Sequence, residues 1–293
     1  MKSITILASI ALVPIVLGLV ACGDKEAPPP ATPHGAEPAA TPTGSARPVT
    51  AAAPSDVKET KTTDIAILPN VRAAVDAADR APEDRALDAG RRPDVVFSFF
   101  GIKPGMKVAD IAAGGGYTTE LLVRAVGPTG KVWGENPPDL LAKFLEKPWS
   151  ARLAKPVNAG IVNAPRAFED PLPEDAKDLD AVIMVLFYHD LYWVGADRAK
   201  MNAAILKALK PGGVFGIVDH AGRPGTGSSE ASTLHRIEEK VLVEDITKAG
   251  FKLTGTTDAL REPGDTRDWN ASPKAAGEKR GHSDRFVLKF QKP

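Results

Sequence analysis

A single cysteine, Cys22, stands in 293 residues. An intramolecular disulfide is therefore excluded, and so is a metal centre built on paired cysteines. Neither sign of charge is in excess, because 37 Lys and Arg face 37 Asp and Glu. The chain lacks the basic surplus that phosphate-backbone binding depends on, so nucleic acid is not an expected partner. The H-E-x-x-H spacing is missing as well, and no metal is expected. No G-x-S-x-G elbow offers a serine nucleophile, and no internal repeat is visible. What remains is an ordinary globular composition, 43% hydrophobic, with enough chain for one domain.

The N-terminal region is of a different kind. Lys2 precedes an apolar run from Ile4 to Val20, which leads into Ala21 and Cys22. This reads as a secretory signal, and Leu19-Val20-Ala21-Cys22 resembles the lipobox of bacterial lipoproteins. An uncleaved anchor is the alternative, since the run approaches the ~20 residues that span a bilayer. Pro14 interrupts it, however, and the lone cysteine falls where a lipid-bearing cysteine must fall. The expectation is a signal peptide over residues 1–21 and membrane attachment through lipid on Cys22. Residues 22–63 are rich in Ala, Pro and Thr. They hold too few large apolar side chains to offset ordering entropy, and read as an extended tether. The protein is then exported and faces the periplasm. Gly23 replaces the aspartate typical of inner-membrane retention, which favours the outer membrane.

Residues 64–293 read as one domain. Short helices are expected over 70–78 and 93–100, followed by a strand over 107–112, a helix over 117–126, a strand over 130–135 and a helix over 138–146. A weak strand near 159–163 and a strand over 180–187 follow, then a helix over 197–209 and a strand over 213–219. The chain closes with a helix over 236–249 and strands over 251–257 and 284–290. Alternating strands and helices predict an α/β fold, with a mostly parallel sheet and helices on both faces. The last two strands lack an intervening helix, which predicts an antiparallel hairpin at the sheet edge.

The segment from Lys107 to Asn136 carries the strongest signal. An apolar strand runs into Gly114, Gly115 and Gly116, and an amphipathic helix begins directly after them. Glycines let backbone approach a ligand closely, and the helix aims free N–H groups over the turn. The spacing is not that of a dinucleotide site, since Ala112, Gly114 and Tyr117 occupy the G-x-G-x-x-G positions. Asp110, just ahead of the turn, suits a cationic or amino-bearing ligand. Ligands in open α/β sheets sit beyond the carboxyl ends of strands. Those ends are 110–116, Glu135-Asn136, Tyr188-His189-Asp190 and Asp219-His220.

At these residues the chain resembles class I S-adenosylmethionine (SAM)-dependent methyltransferases, in which an acidic residue leads into a glycine-rich turn. It is especially similar to a group of predicted bacterial methyltransferases through VADIAAGGGYTTELL (Val108–Leu122), YHDLYW (Tyr188–Trp193), LKPGGVFGIVDH (Leu209–His220), LHRI (Leu234–Ile237) and RDWNASP (Arg267–Pro273). The resemblance implies a Rossmann-like, seven-stranded sheet and S-adenosyl-L-methionine as cofactor. It further implies that Asp110, Gly114 and Gly116 face the methionine part, with Ala112 where relatives commonly carry glycine. Asn136 stands where a carboxylate usually takes both ribose hydroxyls, with Glu135 one position early. Successive strand residues face opposite ways, so only one of the two should point at the ribose. A charge restored at residue 136 should then tighten binding. Ala167 replaces the usual acidic contact to adenine, and Phe168 could stack on or cover the ring.

His189 is the candidate general base for a hydroxyl or amine acceptor, and Asp190 could orient it or meet the sulfonium. Both could instead cap local backbone. Asp219-His220 is a second such pair. His235-Arg236 reads as a surface or capping feature. Trp269, Asn270 and Arg280 lie on a long insertion that could close over a substrate. Two functions therefore stay open. One is methyl transfer to an unidentified small-molecule acceptor by a membrane-anchored exported enzyme. The other is a non-catalytic periplasmic lipoprotein that retains the methyltransferase fold and binds a ligand or a protein. Oligomeric state is not legible.

Overall fold

The computed structural model describes residues 57–293. The expected signal peptide, Cys22 and most of the tether lie outside them. Apolar runs form the buried strands β2 (Lys107–Ile111), β3 (Lys131–Glu135), β5 (Leu179–Val185) and β6 (Leu209–His220). Such continuous runs belong in a sheet covered on both faces. With β1 (Lys58–Thr60), β4 (Ile161–Ala164), β7 (Lys252–Thr257) and β8 (Arg285–Gln291) they make one sheet, ordered β1-β7-β8-β6-β5-β2-β3-β4. Every pairing is parallel except those of β8, which is antiparallel to β6 and to β7. The Rossmann-like, mostly parallel sheet is thus present, with eight strands instead of seven.

The extra strand corrects the expected domain boundary. Residues 58–60, read as tether, pair with β7, and the Thr62 amide and hydroxyl both donate to Asp258. The polar Lys-Glu-Thr run is mostly exposed at the sheet edge and carries no apolar pattern. The terminal hairpin is consequently covered by β1 and does not form the edge.

Helices fill both faces. The N-terminal group comprises α1 (Pro69–Asp76), α2 (Pro82–Arg85), α3 (Asp88–Arg91) and α4 (Pro93–Phe100). Proline opens α4 where no N–H is needed, and Gly101 at φ 79° closes it. Helix α5 (Tyr117–Val126) follows the glycine turn. After β3 the helical path runs from α6 (Pro138–Leu140) through a π-helical turn (Leu141–Leu145) into α7 (Glu146–Leu153). It extends beyond the expected end at 146 because Pro148 falls in the first turn of α7, where a missing N–H breaks no bond. Helices α8 (Arg198–Ala208) and α9 (Glu239–Lys248) cover the second half of the sheet. Helix α9 starts three residues later than expected, because Ile237 bridges to Ala221 and Glu238 binds the amides of Gly225 and Gly227. Among the described residues no helix is long and apolar enough to cross a membrane.

Candidate functional site

The carboxyl ends of β2, β3, β5 and β6 form one edge, and the turn from Ala112 to Gly116 leads it. Ala112 adopts φ 56° and Gly114 φ 59°, both left-handed. For alanine this conformation is unfavourable and is held by its surroundings. The Ala112 amide donates to Glu135 Oε2 at 2.9 Å, and the Gly114 amide donates to Asn136 Oδ1 at 2.8 Å. Asn136 Nδ2 returns a bond to the Gly114 carbonyl at 3.1 Å. The turn is therefore laced to the end of β3 by two consecutive side chains. Alternation does not separate Glu135 from Asn136, because the strand ends at Glu135.

This lacing corrects three expectations. Both polar atoms of Asn136 bond to Gly114, so its amide is oriented by the turn and does not stand ready for a ribose. Asp110 does not face a ligand space. It is 1% exposed and accepts the Thr119 hydroxyl at 2.5 Å, beneath α5. Burial pushes its carboxyl up to about 7, against the Thr119 bond and the Arg91 charge. Phe168 is a core residue packed on Phe187, with ring centroids 5.3 Å apart, and not an open platform. The two glycines differ as well. A Cβ on Gly114 would meet only the Ala112 carbonyl oxygen at 4.0 Å, whereas one on Gly116 would lie 2.6 Å from Arg152 and 2.9 Å from Trp149. Gly116 is therefore set by the packing of α7.

Glu135 is the acceptor the sequence placed second. It is fully buried, its Oε1 has no partner, and burial raises its carboxyl well above the usual range. Beside the turn, a cavity of about 20 Å³ is lined by Arg91, Tyr117, Thr118, Leu186 and Arg285, among others. Arg91 lies over the Tyr117 ring at 4.6 Å. Burial holds Arg285 down at about 10, and the neighbouring Arg91 charge adds to this. A larger open cavity of about 530 Å³ lies past β6, between Gly222, Glu239, Arg261 and Arg267.

The ends of β5 and β6 meet in a histidine–aspartate cluster. Leu186, at φ 59°, ends β5 and turns the chain into a 3-10 segment, Tyr188–Tyr192. His189 is buried there, its Nδ1 2.7 Å from Asp219 Oδ1, and its amide donates to Asp219 Oδ2 at 2.8 Å. Burial would lower the imidazole, but the Asp219 charge prevails and raises it to about 10. His189 is thus charged at neutral pH in this pairing, which removes it as a free general base. Asp190 joins the same cluster: its Oδ1 lies 3.1 Å from His189 Nε2 and 3.0 Å from His235 Nδ1. Burial opposes ionisation of Asp190, yet these histidine contacts hold it well below the usual range. The two pairs read from sequence therefore merge, with His189 on Asp219. His220 binds Ser283 Oγ at 2.7 Å instead, and burial keeps it neutral.

His235 is the residue that sequence reasoning missed. It sits 46 positions from His189, so no local spacing signals the contact. Its neighbour Arg236 is not a surface feature. It is fully buried, paired with Asp265 at 2.8 Å and stacked at 4.6 Å on Trp269. The insertion covers this arginine. Trp269 Nε1 donates to Asp265 and Asn270 donates to the Thr233 carbonyl, so both pin the insertion down. Arg280 is exposed.

The chain matches no family model and no curated protein. Among solved structures it is similar to a SAM-dependent methyltransferase from Aquifex aeolicus, at 17% identity and a TM-score of 0.51 over 73% of this chain and 94% of that one. It is also similar to an arsenic(III) S-adenosylmethionine methyltransferase from Chlamydomonas reinhardtii, at 17% identity and a TM-score of 0.48 over 78% and 74%. The Aquifex likeness shows a shared fold.

Proposed function

We propose that the chain is an enzyme that binds S-adenosylmethionine at the Ala112–Gly116 turn and methylates a small acceptor beside the ends of β5 and β6. The observation that carries this reading is the left-handed turn laced to β3 at the carboxyl edge of the sheet. The residues present fit the cofactor. At Gly114 a Cβ would meet only the Ala112 carbonyl oxygen, 4.0 Å away, which leaves room for a backbone-contacting ligand. Glu135 Oε1 is a buried polar atom without a partner, which a ribose hydroxyl would satisfy. Glu135 takes over the role expected of Asn136. Arg91, beside the turn, suits a carboxylate.

When bound, the cofactor supplies a methyl group already activated on a sulfonium. The chain then needs chiefly to position and desolvate the acceptor. The cluster of His189, Asp190 and His235 lies on the same edge, and its part-exposed members, Asp190 and His235, are the polar groups available for that. Anchoring through lipid on Cys22, with export to the periplasmic face, belongs to the same proposal. Cys22→Ser should abolish fatty-acid labelling, and labelling that survives would end the anchoring reading.

A specific observation favours a second reading, a binding lipoprotein that retains the fold. The turn is closed, with Asn136 occupied, Phe168 in the core and only about 20 Å³ of space beside Tyr117. Calorimetry with SAM titrated into the purified protein decides between them. Methyl transfer requires saturable binding that Gly114→Val removes, because valine cannot easily hold the left-handed turn. No heat at millimolar SAM would leave the second reading standing.

A further inference from the structure

We propose that His189, Asp190 and His235 form a binding site for a divalent first-row transition metal, with Asp219 as its supporting carboxylate. His189 Nε2, Asp190 Oδ1 and His235 Nδ1 lie 3.1, 3.0 and 3.2 Å from one another. Three donors bound tetrahedrally at ~2.0–2.1 Å would stand roughly 3.3–3.4 Å apart, so almost no rearrangement is needed. The two imidazoles approach edge to face at an interplanar angle of 81°, with His189 Nε2 and His235 Nδ1 on the facing edges.

The surroundings match a metal site as well as the triangle does. A ligating histidine usually gives its second N–H to a carboxylate, which fixes the tautomer and orients the ring. His189 does so through Nδ1 to Asp219 at 2.7 Å, and the ion would take Nε2 in place of the proton held there in the ion-free pairing. Asp219 in turn accepts the amides of His189 and His220, so its own orientation is fixed. His235 reaches the triangle through a left-handed backbone, φ 51°, which is uncommon outside glycine. Charge agrees too. The buried Asp219 and the mostly buried Asp190 bring two negative charges, which one divalent ion balances. Arg236, the nearest buried cation in sequence, is already committed to Asp265.

Three protein ligands leave one position open. The His235 side chain is 22% exposed, so this position can face solvent. Two histidines and one carboxylate suit zinc, iron(II) or cobalt(II) better than magnesium or calcium.

The test uses the full-length protein with Cys22→Ser, which removes the only thiol. After chelation and desalting, Co²⁺ is added and its visible d–d bands are followed. One equivalent should bind, and Zn²⁺ should displace it. His235→Gly, which keeps the left-handed conformation without strain, should abolish the bands. Asp219→Asn should weaken Co²⁺ binding roughly 10–100-fold. Melting curves in chelator should superpose for His235→Gly and its parent, which confirms that the variant is folded. No saturable Co²⁺ binding, or equal binding by His235→Gly, overturns the proposal. The measurement needs neither SAM nor an acceptor, so its failure leaves the methyltransferase reading untouched.

Discussion

The Asp110 carboxyl is shut beneath α5 with the Thr119 hydroxyl as its hydrogen-bond donor, and burial raises it to about 7. An unfolded aspartate titrates near ~3.9. The folded state therefore binds the extra proton, and this contribution to stability is complete below ~3.9 and lost as pH rises through about 7. Glu135 is raised in the same direction. We expect the midpoint of urea unfolding to fall between about pH 4 and pH 7, and Asp110→Asn to flatten that fall. An unchanged slope in the variant would contradict the assignment. Asn136 offers a second test. Asn136→Asp keeps an acceptor for the Gly114 amide but sets a carboxylate oxygen against the Gly114 carbonyl. It should cost about 1–3 kcal/mol in urea denaturation and not tighten SAM binding. The sequence showed that polar residues end β3, because an apolar run stopped there. It could not show that both reach one loop, since that depends on how the turn closes.

The packing of α7 against α5 rests on a charge cluster centred on Glu120, a 2%-exposed carboxylate. Arg152, Lys155 and Arg124 all bond to it, and Arg152 also forks onto Asp84. These donors hold Glu120 well below the usual range although burial opposes ionisation. Arg152→Ala would strip two buried carboxylates of their shared partner while Arg124 and Lys155 remain for Glu120. We expect a loss of about 1–3 kcal/mol, less than for a buried pair left wholly uncompensated. Arg152→Lys should recover only part of it, because one ammonium cannot copy the fork. Equal stability of Arg152→Ala and the parent in urea would show that the cluster is only decorative. The strands were legible because each is an apolar run with a clear end. Helix α7 was not, because Pro148 reads as a break and two of the partners of Glu120, Arg152 and Lys155, stand more than thirty positions away. His235 was hidden for the same reason: a site assembled from two loops has no period.

At the scale of the molecule, alternation of strands and helices sufficed to read a parallel sheet, and the final pair of strands announced the antiparallel β8. Where the domain begins was not legible, because a short polar edge strand has neither an apolar face nor a turn signal. Strand β1 shields the outer edge of β7, and the Thr62 amide and hydroxyl clasp Asp258 at 2.8 and 2.7 Å. A chain beginning at Asp64 loses both features, exposing the unpaired main chain of β7. We expect it to unfold about 1–3 kcal/mol more easily than one beginning at Val57, since a few hydrogen bonds are lost and little apolar area is. Asp258→Ala should reproduce part of this loss in the longer chain and cost almost nothing in the shorter one, where its partner is gone. That non-additivity is the diagnostic, because only groups that touch couple in this way. Additive losses in urea denaturation would mean that β1 and Asp258 stabilise the fold independently, and the domain would then begin at Asp64 after all.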